Sequence, residues 1–299
     1  MTTSTTVAVL GLGAMGLPMA SHLAQDLVVR GFDIAPARLE LGAQAGVVPC
    51  GSGREAVTGA DAVLLAVRDS AQLNDVLFGE NGVADAMSPG AVVILTSTVG
   101  TDGIADVVAG LAERGIELVD APLSGGPARA GSGDLLIVVG ATPEARAKAQ
   151  PVLERLASTL TVVGDRPGDG QALKTVNQLL CGVHIAAAAE ALALAEAMGL
   201  DPATTLEALG AGAAASFMLA NRGPRILQAY DEEGAEVLSR LDIFVKDLGI
   251  VNKAARAHKL ATPVAAAAEQ LFLLGQGMGL AAVDDSAVIR VVAPERPAR

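Results

Sequence analysis

Aromatic side chains are scarce in this sequence, whose 299 residues include five Phe, one Tyr and no Trp. Because 51% of the residues are nevertheless hydrophobic, the core must be built from Ala, Val and Leu, and it suffices for one large domain or two ordinary ones. Small side chains favour close helix contacts, which are compatible with a core shared between subunits. We therefore expect two domains and a homo-oligomer, either a homodimer or a homotetramer.

Cysteine and histidine are equally few. Cys50 and Cys181 lie far apart with no CxxC pairing, and the three histidines, His22, His184 and His258, lack the spacing of metal ligands. Neither a disulfide nor a bound metal is implied. A chain without a disulfide framework is typical of a reducing compartment such as the cytoplasm.

Basic residues are outnumbered, with 21 Lys and Arg against 33 Asp and Glu, which gives a net charge of -12 at pH 7. This balance argues against nucleic acids and anionic membranes as partners, and it leaves room for a small anion at a local basic site. The first residues, MTTSTTVAVLGLGAMG, contain no basic region, and their apolar run breaks at Gly11. They predict neither a signal peptide nor a membrane span, so we expect a soluble, cytoplasmic protein.

The first half of the chain alternates short β-branched runs with helical stretches. This alternation is typical of an α/β domain with a doubly wound parallel sheet. The predicted strands are Val7–Leu10, Leu27–Phe32, Ala62–Val67, Val92–Thr96, Glu117–Asp120, Leu135–Val139 and Leu160–Val163, with a helix over Pro143–Ala157.

The second half is predicted to be all-helical. The turn cluster GDRPGDG at 164–170 separates two predicted domains, residues 1–164 and residues 165–299. One long Ala- and Leu-rich helix is predicted over about 171–198, ending before Gly199, and Asp201-Pro202 begins the next helix as N-cap and first helical residue. Further helices are predicted around Met218–Tyr230, Ala235–His258 and Pro263–Gly275.

A glycine motif, GxGxxG, follows the first predicted strand and opens a helix. Gly11 permits a tight turn, Gly13 lets the backbone approach a pyrophosphate, and Gly16 lets helix pack on strand. With an acidic residue closing the next strand, this context predicts a Rossmann-type dinucleotide-binding domain rather than a chance glycine-rich turn. The predicted cofactor residues of the loop are Gly11, Leu12, Gly13, Ala14, Met15 and Gly16, and Val67 and Arg68 are added where the third predicted strand ends.

Asp33 is the acidic residue that ends the second strand, and it distinguishes between two cofactors. Its carboxylate can accept hydrogen bonds from ribose hydroxyls and would repel a 2′-phosphate, so NAD is favoured over NADP. Arg38 leaves an alternative open. It is interpreted as a solvated helix residue, although an arginine here can also reach a phosphate.

Two further motifs carry candidate chemistry. Ser124, Gly125 and Gly126 follow the strand that ends at Asp120, and we expect them to form a loop in which a hydroxyl and unhindered amides cradle a carboxylate. Lys174 begins the long helix, and Asn177 and Gln178 follow on the same face. A flexible turn and a solvated helix start are the simpler explanations. Because polar residues at the start of a buried helix need partners or a ligand, we favour a site.

Taken together, these motifs resemble the β-hydroxyacid dehydrogenase family, which includes 3-hydroxyisobutyrate dehydrogenase and tartronate semialdehyde reductase. The similar segments are GLGAMGLPMA (11–20), TSTVG (96–100), DAPLSGGP (120–127), GDGQALKTVNQ (168–178) and KDLGIV (246–251). Within the family the chain is most similar to the L-threonate dehydrogenases, through VNQLLCGVHIAAAAEALALA (176–195), NRGPRI (221–226), DIFVKDLGIV (242–251) and DDSAVIRV (284–291).

The resemblance implies a Rossmann domain, a long interdomain helix, a helical C-terminal domain and a cleft between the two domains. It implies that Lys174 is the catalytic acid/base, and that Thr98 and Lys246 contact the nicotinamide half of NAD. The resemblance also implies that a small anionic hydroxy acid is bound by Ser124, Gly125, Gly126, Asn177 and Gln178. The reaction implied is NAD-dependent oxidation of L-threonate to 2-oxo-tetronate.

The sequence departs from the family pattern at three positions. Gln178 stands where many members have a second Asn, so the substrate should sit differently or carry an extra hydroxyl. Arg68 replaces a common proline and Arg129 a common glycine, which affects the expected geometry of two loops. His184 is equally well explained as a site residue or as a core histidine.

Two alternatives remain at this point. The same chemistry can run backwards, as a reductase of short semialdehydes, because the sequence does not set the direction. A noncatalytic dinucleotide-binding protein would need only the glycine motif, and it would have no need of Lys174.

Two further polar residues have two possible roles. Asn221 and Arg222 either complete a polyol-acid site or stabilise the turn before Pro224.

Overall fold

Short β-branched runs form the strands of one mixed sheet. The computed structural model describes residues 5–296. Its strands are β1 (Thr6–Leu10), β2 (Val28–Phe32), β3 (Val48–Pro49), β4 (Ala62–Leu65), β5 (Val92–Leu95), β6 (Glu117–Asp120), β7 (Leu123–Ser124), β8 (Leu135–Gly140) and β9 (Ala157–Gly164). In the order β3-β2-β1-β4-β5-β6 every neighbouring pair is parallel, which confirms the predicted parallel sheet over five of these strands; β3 was not predicted.

Beyond β6 the sheet departs from the expected parallel order. β8 is antiparallel to β6 and to β7, and β9 pairs in parallel with β8. A parallel crossover needs a dozen or more residues. Only residues 125–134 connect β7 to β8, so β8 returns antiparallel instead. The expectation that Ser124 lies in a loop was wrong, because Leu123 and Ser124 pair with Ile137 and Leu136 of β8.

Helices cover both faces of this sheet. They are α1 (Gly16–Leu23), α2 (Pro36–Gln44), α3 (Gly53–Val57), α4 (Ser70–Phe78), α5 (Ile104–Ala112), α6 (Gly126–Gly131) and α7 (Pro143–Leu156). Successive residues of a strand point to opposite faces. Accordingly, Val7 and Val9 of β1 lie in one buried cluster, whereas Ala8 and Leu10 lie in the other. The sheet is therefore doubly wound, as predicted.

The rest of the described chain is helical: α8 (Asp169–Ala197), α9 (Pro202–Gly210), α10 (Phe217–Leu227), α11 (Leu241–Ala257), α12 (Pro263–Gly277) and α13 (Ile289–Val292). α8 stops before Gly199, which has a φ of 78°, and Asp201 caps α9 by accepting a hydrogen bond from the Thr204 amide at 2.9 Å. The core contains small side chains and two stacked rings, Phe244 and Phe272, whose centroids are 5.3 Å apart. The predicted all-helical region and its long first helix are confirmed.

α11 begins later than the predicted Ala235. The backbone amides of Leu238 and Ser239 donate to the Asp284 carboxylate, at 3.0 and 3.3 Å, and these bonds hold the segment in a non-helical conformation. The helix starts at Leu241, whose amide bonds the Val283 carbonyl at 2.9 Å.

The chain divides into two compact units, Met1–Lys174 and Thr175–Arg299, and the division falls inside α8. The boundary predicted after residue 164 precedes this division. Within the described residues, α8 is the one helix long and apolar enough to cross a membrane, with a mean hydropathy of 1.6. Half of that stretch is buried in the protein, so its length and composition are weak evidence for a span.

Candidate active site

The glycine loop between β1 and α1 is packed tightly against the end of β4. Gly11 has a φ of 93°, as the tight turn requires, and a Cβ at this position would collide with the Ala66 carbonyl oxygen. A Cβ on Gly16 would collide with the Gly11 carbonyl oxygen. A Cβ on Gly13 would meet nothing within 4 Å, so open space lies beside the backbone where the sequence predicts a pyrophosphate.

Asp33 ties this loop to the end of β2. Its Oδ2 accepts a hydrogen bond from the Leu12 amide at 2.7 Å, and its Oδ1 accepts one from the Ala35 amide at 2.9 Å. Each carboxylate oxygen has a second lone pair, so hydrogen-bonding capacity for ribose hydroxyls remains. Arg38 lies exposed in the first turn of α2.

The loops after β4 and β5 lie at the same edge of the sheet, because parallel neighbours end side by side. The Val67 amide donates to Ser97 Oγ at 2.8 Å, which joins the two loops directly. The Arg68 amide donates to Gln72 Oε1 at 2.8 Å, and Thr98 is half-buried.

Lys174 and Ser124 come together in the first unit. Lys174 Nζ donates to Ser124 Oγ at 3.1 Å, and Lys174 is 8% exposed. Ser124 is placed by β7, while Gly125 and Gly126 take φ values of 143° and 76° as the chain turns into α6. A Cβ on Gly126 would meet nothing within 4 Å. A buried amine therefore faces a hydroxyl beside an unhindered backbone, at the carboxyl edge of the sheet.

Sequence reasoning missed Gln171 and Asp120, which are both fully buried. Gln171 Nε2 donates to Asp120 Oδ1 at 2.8 Å, and the Gln171 amide donates to Asp120 Oδ2 at the same distance. Burial raises the pKa of Asp120, although the hydrogen bonds from Gln171, Gly168 and Gly170 oppose that rise. One signal was available: Gln171 precedes Lys174 by three positions and so lies on the same helix face.

A second group of polar residues lies within the second unit. Asn177 Nδ2 donates to Gln178 Oε1 at 2.9 Å, and Gln178 Nε2 donates to the carboxylate of Asp247. Lys246 Nζ forms an ion pair with Asp247 at 2.9 Å. Asp247 was also missed, although it adjoins Lys246 in the sequence. It links predicted substrate residues with a predicted cofactor residue.

Other polar candidates have structural partners. Arg222 donates to both carboxylate oxygens of buried Asp285, at 3.0 and 2.8 Å, which favours the interpretation that it stabilises the second unit. Arg129 Nε donates to Asp134 at 2.9 Å. His184 is half-buried on α8.

Comparison with known proteins assigns the chain to a family. Residues 6–164 match the NAD binding domain of 6-phosphogluconate dehydrogenase, and residues 168–292 match the family described as NAD-binding of NADP-dependent 3-hydroxyisobutyrate dehydrogenase. The chain is 42% identical to an L-threonate dehydrogenase of Cupriavidus necator over 290 residues, which cover 96% of both chains. The chain belongs to the 3-hydroxyisobutyrate dehydrogenase-like β-hydroxyacid dehydrogenases.

Two other members of this dehydrogenase family support the assignment. A 2-hydroxy-3-oxopropionate reductase of Escherichia coli is 32% identical, with 95% of each chain covered. The crystal structure of a 3-hydroxyisobutyrate dehydrogenase from Salmonella typhimurium has a TM-score of 0.87 and 35% identity, and covers 96% of this chain and 99% of that one. The protein is therefore an NAD-dependent dehydrogenase of the hydroxyacid type, and the alternative of a noncatalytic binding protein is set aside.

The residues of this β-hydroxyacid dehydrogenase fit a dinucleotide. The backbone beside Gly13 is unobstructed, and Asp33 holds the loop that carries it. The loops after β4 and β5 lie at the same edge of the sheet. Gly11 to Gly16 would hold the pyrophosphate and Asp33 the adenosine ribose, as the motif predicts.

We predict that NAD is preferred over NADP by at least about tenfold in kcat/KM, or about 1.4 kcal/mol, because the Asp33 carboxylate repels a 2′-phosphate. Steady-state kinetics with both cofactors measures this ratio. Asp33→Asn should narrow it by removing the charge, whereas Asp26→Asn, at an exposed carboxylate, should leave it unchanged. Equal use of both cofactors by the unmodified enzyme would contradict the prediction.

Proposed function

We propose that this dehydrogenase oxidises the second-carbon hydroxyl of L-threonate to give 2-oxo-tetronate, with NAD as hydride acceptor and Lys174 as the acid/base. The observation that carries the proposal is the 3.1 Å contact between Lys174 Nζ and Ser124 Oγ. It places a buried amine beside a hydroxyl that can orient a small acid. The choice of substrate is supported by the Cupriavidus necator relative, whose name is L-threonate dehydrogenase.

When bound, NAD would supply the acceptor for the hydride of the carbinol carbon. Lys174 accepts the proton of the substrate hydroxyl as the C–H electron pair leaves with its hydrogen, so the alcohol becomes a ketone without a charged intermediate. In the reverse direction the same amine returns the proton to the carbonyl oxygen. Thr98 and Lys246 are assigned to the nicotinamide half of the cofactor.

Substrate orientation is assigned to two groups of residues. Ser124 Oγ, the Gly125 backbone and the unhindered backbone at Gly126 bind the carboxylate. These residues orient the substrate and take no part in the chemical step. Asn177 and Gln178 bind the further hydroxyls. Because Asp247 holds Gln178 by a hydrogen bond, the Gln178 amide is preorganised rather than free to rotate.

A panel of three- and four-carbon hydroxy acids tests the substrate. We predict that L-threonate gives the highest kcat/KM for NAD reduction, above its stereoisomers and 3-hydroxyisobutyrate, because the amides of Asn177 and Gln178 suit an additional hydroxyl. Turnover confined to the reduction of short semialdehydes would instead support the reverse reaction, in line with the relative named 2-hydroxy-3-oxopropionate reductase. No turnover with any member of the panel would contradict the proposal.

We predict that Lys174→Ala lowers kcat on the best substrate by roughly 10²–10⁴-fold, the range expected for a positioned acid/base. NAD affinity, measured by titration, should barely change because the cofactor loop is intact. Lys148→Ala is a matched control, since Lys148 is an exposed lysine paired with Glu117 on the surface of the first unit. Near-normal turnover by the Lys174 variant would remove the mechanism.

We further propose that the enzyme is cytoplasmic and forms a homo-oligomer of at least two subunits. The oligomer is supported by exposed apolar side chains: α8 exposes Val176 and Leu194 at 59% and 61%, and α12 exposes Val264 and Leu274 at 63% and 57%. Apolar surface arranged along helices in this way is typical of faces that subunits cover.

We predict that light scattering at micromolar concentration gives a mass of at least twice the 29.9 kDa monomer. Leu274→Glu should shift the protein toward the monomer, because it places a charge on the apolar face of α12. Gln276→Glu adds the same charge to the same helix at an exposed polar position, so it should leave the mass unchanged. A monodisperse monomer of the unmodified protein would exclude an obligate oligomer.

A further inference from the structure

The Gln171 side chain is inserted between two loops of the first unit that carry proposed site residues. Its Oε1 accepts hydrogen bonds from the amides of Val99 and Gly100, at 2.9 and 3.1 Å. Its Nε2 donates to the Ser97 carbonyl at 3.0 Å and to Asp120 at 2.8 Å. One buried amide thus fixes the backbone on both sides of Thr98 and joins it to the end of β6.

Asp120 in turn caps the start of α8 from a separate element. Its Oδ2 accepts hydrogen bonds from the amides of Gly168 and Gln171, at 2.9 and 2.8 Å, which otherwise have no helical acceptor. Because Lys174 is one turn further along α8, its height above the sheet depends on this cap. Ser124 is four residues beyond Asp120, and both residues pair with β8. The positions of Lys174 and of Ser124 therefore both depend on the Asp120 carboxylate.

We propose that Gln171 and Asp120 form a buried positioning pair that sets the Lys174–Ser124 distance and holds the 96–100 loop against it. The pair acts through other residues and is not itself catalytic. This inference rests on the proposed function, since it assigns the pair a role in the same hydride transfer. A displacement of about 1 Å in such a site lowers the rate by roughly 10²-fold, so the pair's effect should appear in kcat.

Gln171→Glu is the sharpest test, because it keeps the shape of the side chain and replaces the amide nitrogen, which donates to Asp120 and to the Ser97 carbonyl, by an oxygen. Two carboxylates then meet, and they must share a proton, which raises the apparent pKa of the pair. Below that pKa the protonated pair regains a hydrogen bond, whereas above it the two charges repel each other. The other titratable groups on the packed elements are Asp102 beyond the loop, and Asp169 and Lys174 on α8, and all of them are present in both proteins.

We expect kcat of Gln171→Glu to fall by roughly 10- to 100-fold at about pH 9, and to recover by at least about tenfold relative to the unmodified enzyme at about pH 6. Asp120→Asn combined with Gln171→Glu restores a donor–acceptor pair between these two side chains, although the Ser97 carbonyl stays without its donor. The double variant should therefore regain part of the activity at high pH and lose the single variant's pH dependence. Gln150→Glu, at an exposed glutamine on α7, should match the unmodified enzyme at both pH values. A pH-independent loss, no loss, or failure of the folded double variant to recover would overturn the proposal.

A readout without substrate separates this inference from the proposed function. Hydrogen exchange of the Val99 and Gly100 amides should be faster in Gln171→Glu than in the unmodified protein at about pH 9. At that pH the repulsion between the two carboxylates moves the side-chain oxygen that accepts from both amides. If no hydroxy acid is oxidised but these amides lose protection, the proposed function fails and the pair stands as the element that orders the loop. If exchange is unchanged, the positioning pair is refuted whatever the substrate.

Discussion

A carboxylate with no exposed surface must find hydrogen-bond donors inside the protein, and the way Asp120 satisfies this requirement organises the first unit. Leaving such a group uncompensated costs about 3–5 kcal/mol, so its partners are not interchangeable. Those partners are the amides that begin α8 and the side chain of Gln171. These contacts prevent independent movement of strand β6, the loop after β5 and the start of the long helix. The position of Lys174 therefore depends on all three.

Strands and helices that depend on local pattern were predictable from the sequence. The runs of Val, Ile and Leu that became β1, β4 and β5 are buried on both faces, and such runs are recognisable without a structure. The glycine loop was predictable for the same reason. Gly11 and Gly16 are required because a side chain at either position would clash in the tight turn between strand and helix. Lys174 and its neighbours were found because one turn of helix brings them to one face.

Features that depend on distant pairing were not predictable. The Gln171–Asp120 contact joins residues 51 positions apart, and the Gln178–Asp247 contact joins residues 69 positions apart. No periodicity in either segment indicates the partner. The antiparallel return of β8 was missed for a related reason: its composition is that of any buried strand, and only the short connection from β7 determines its direction. Sequence patterns specify what an element is more readily than which element it meets.

Asp33 serves two purposes, because the oxygen atoms proposed to face a ribose also hold the Leu12 amide and the start of α2. Such a position is pleiotropic: a substitution that admits a 2′-phosphate also takes an acceptor away from the loop that must cradle the pyrophosphate. A lineage that changed its nucleotide preference here would need a second substitution to recapture the Leu12 amide. The two changes would be favourable only together, so the route between the two coenzymes passes through an intermediate with a loosened loop.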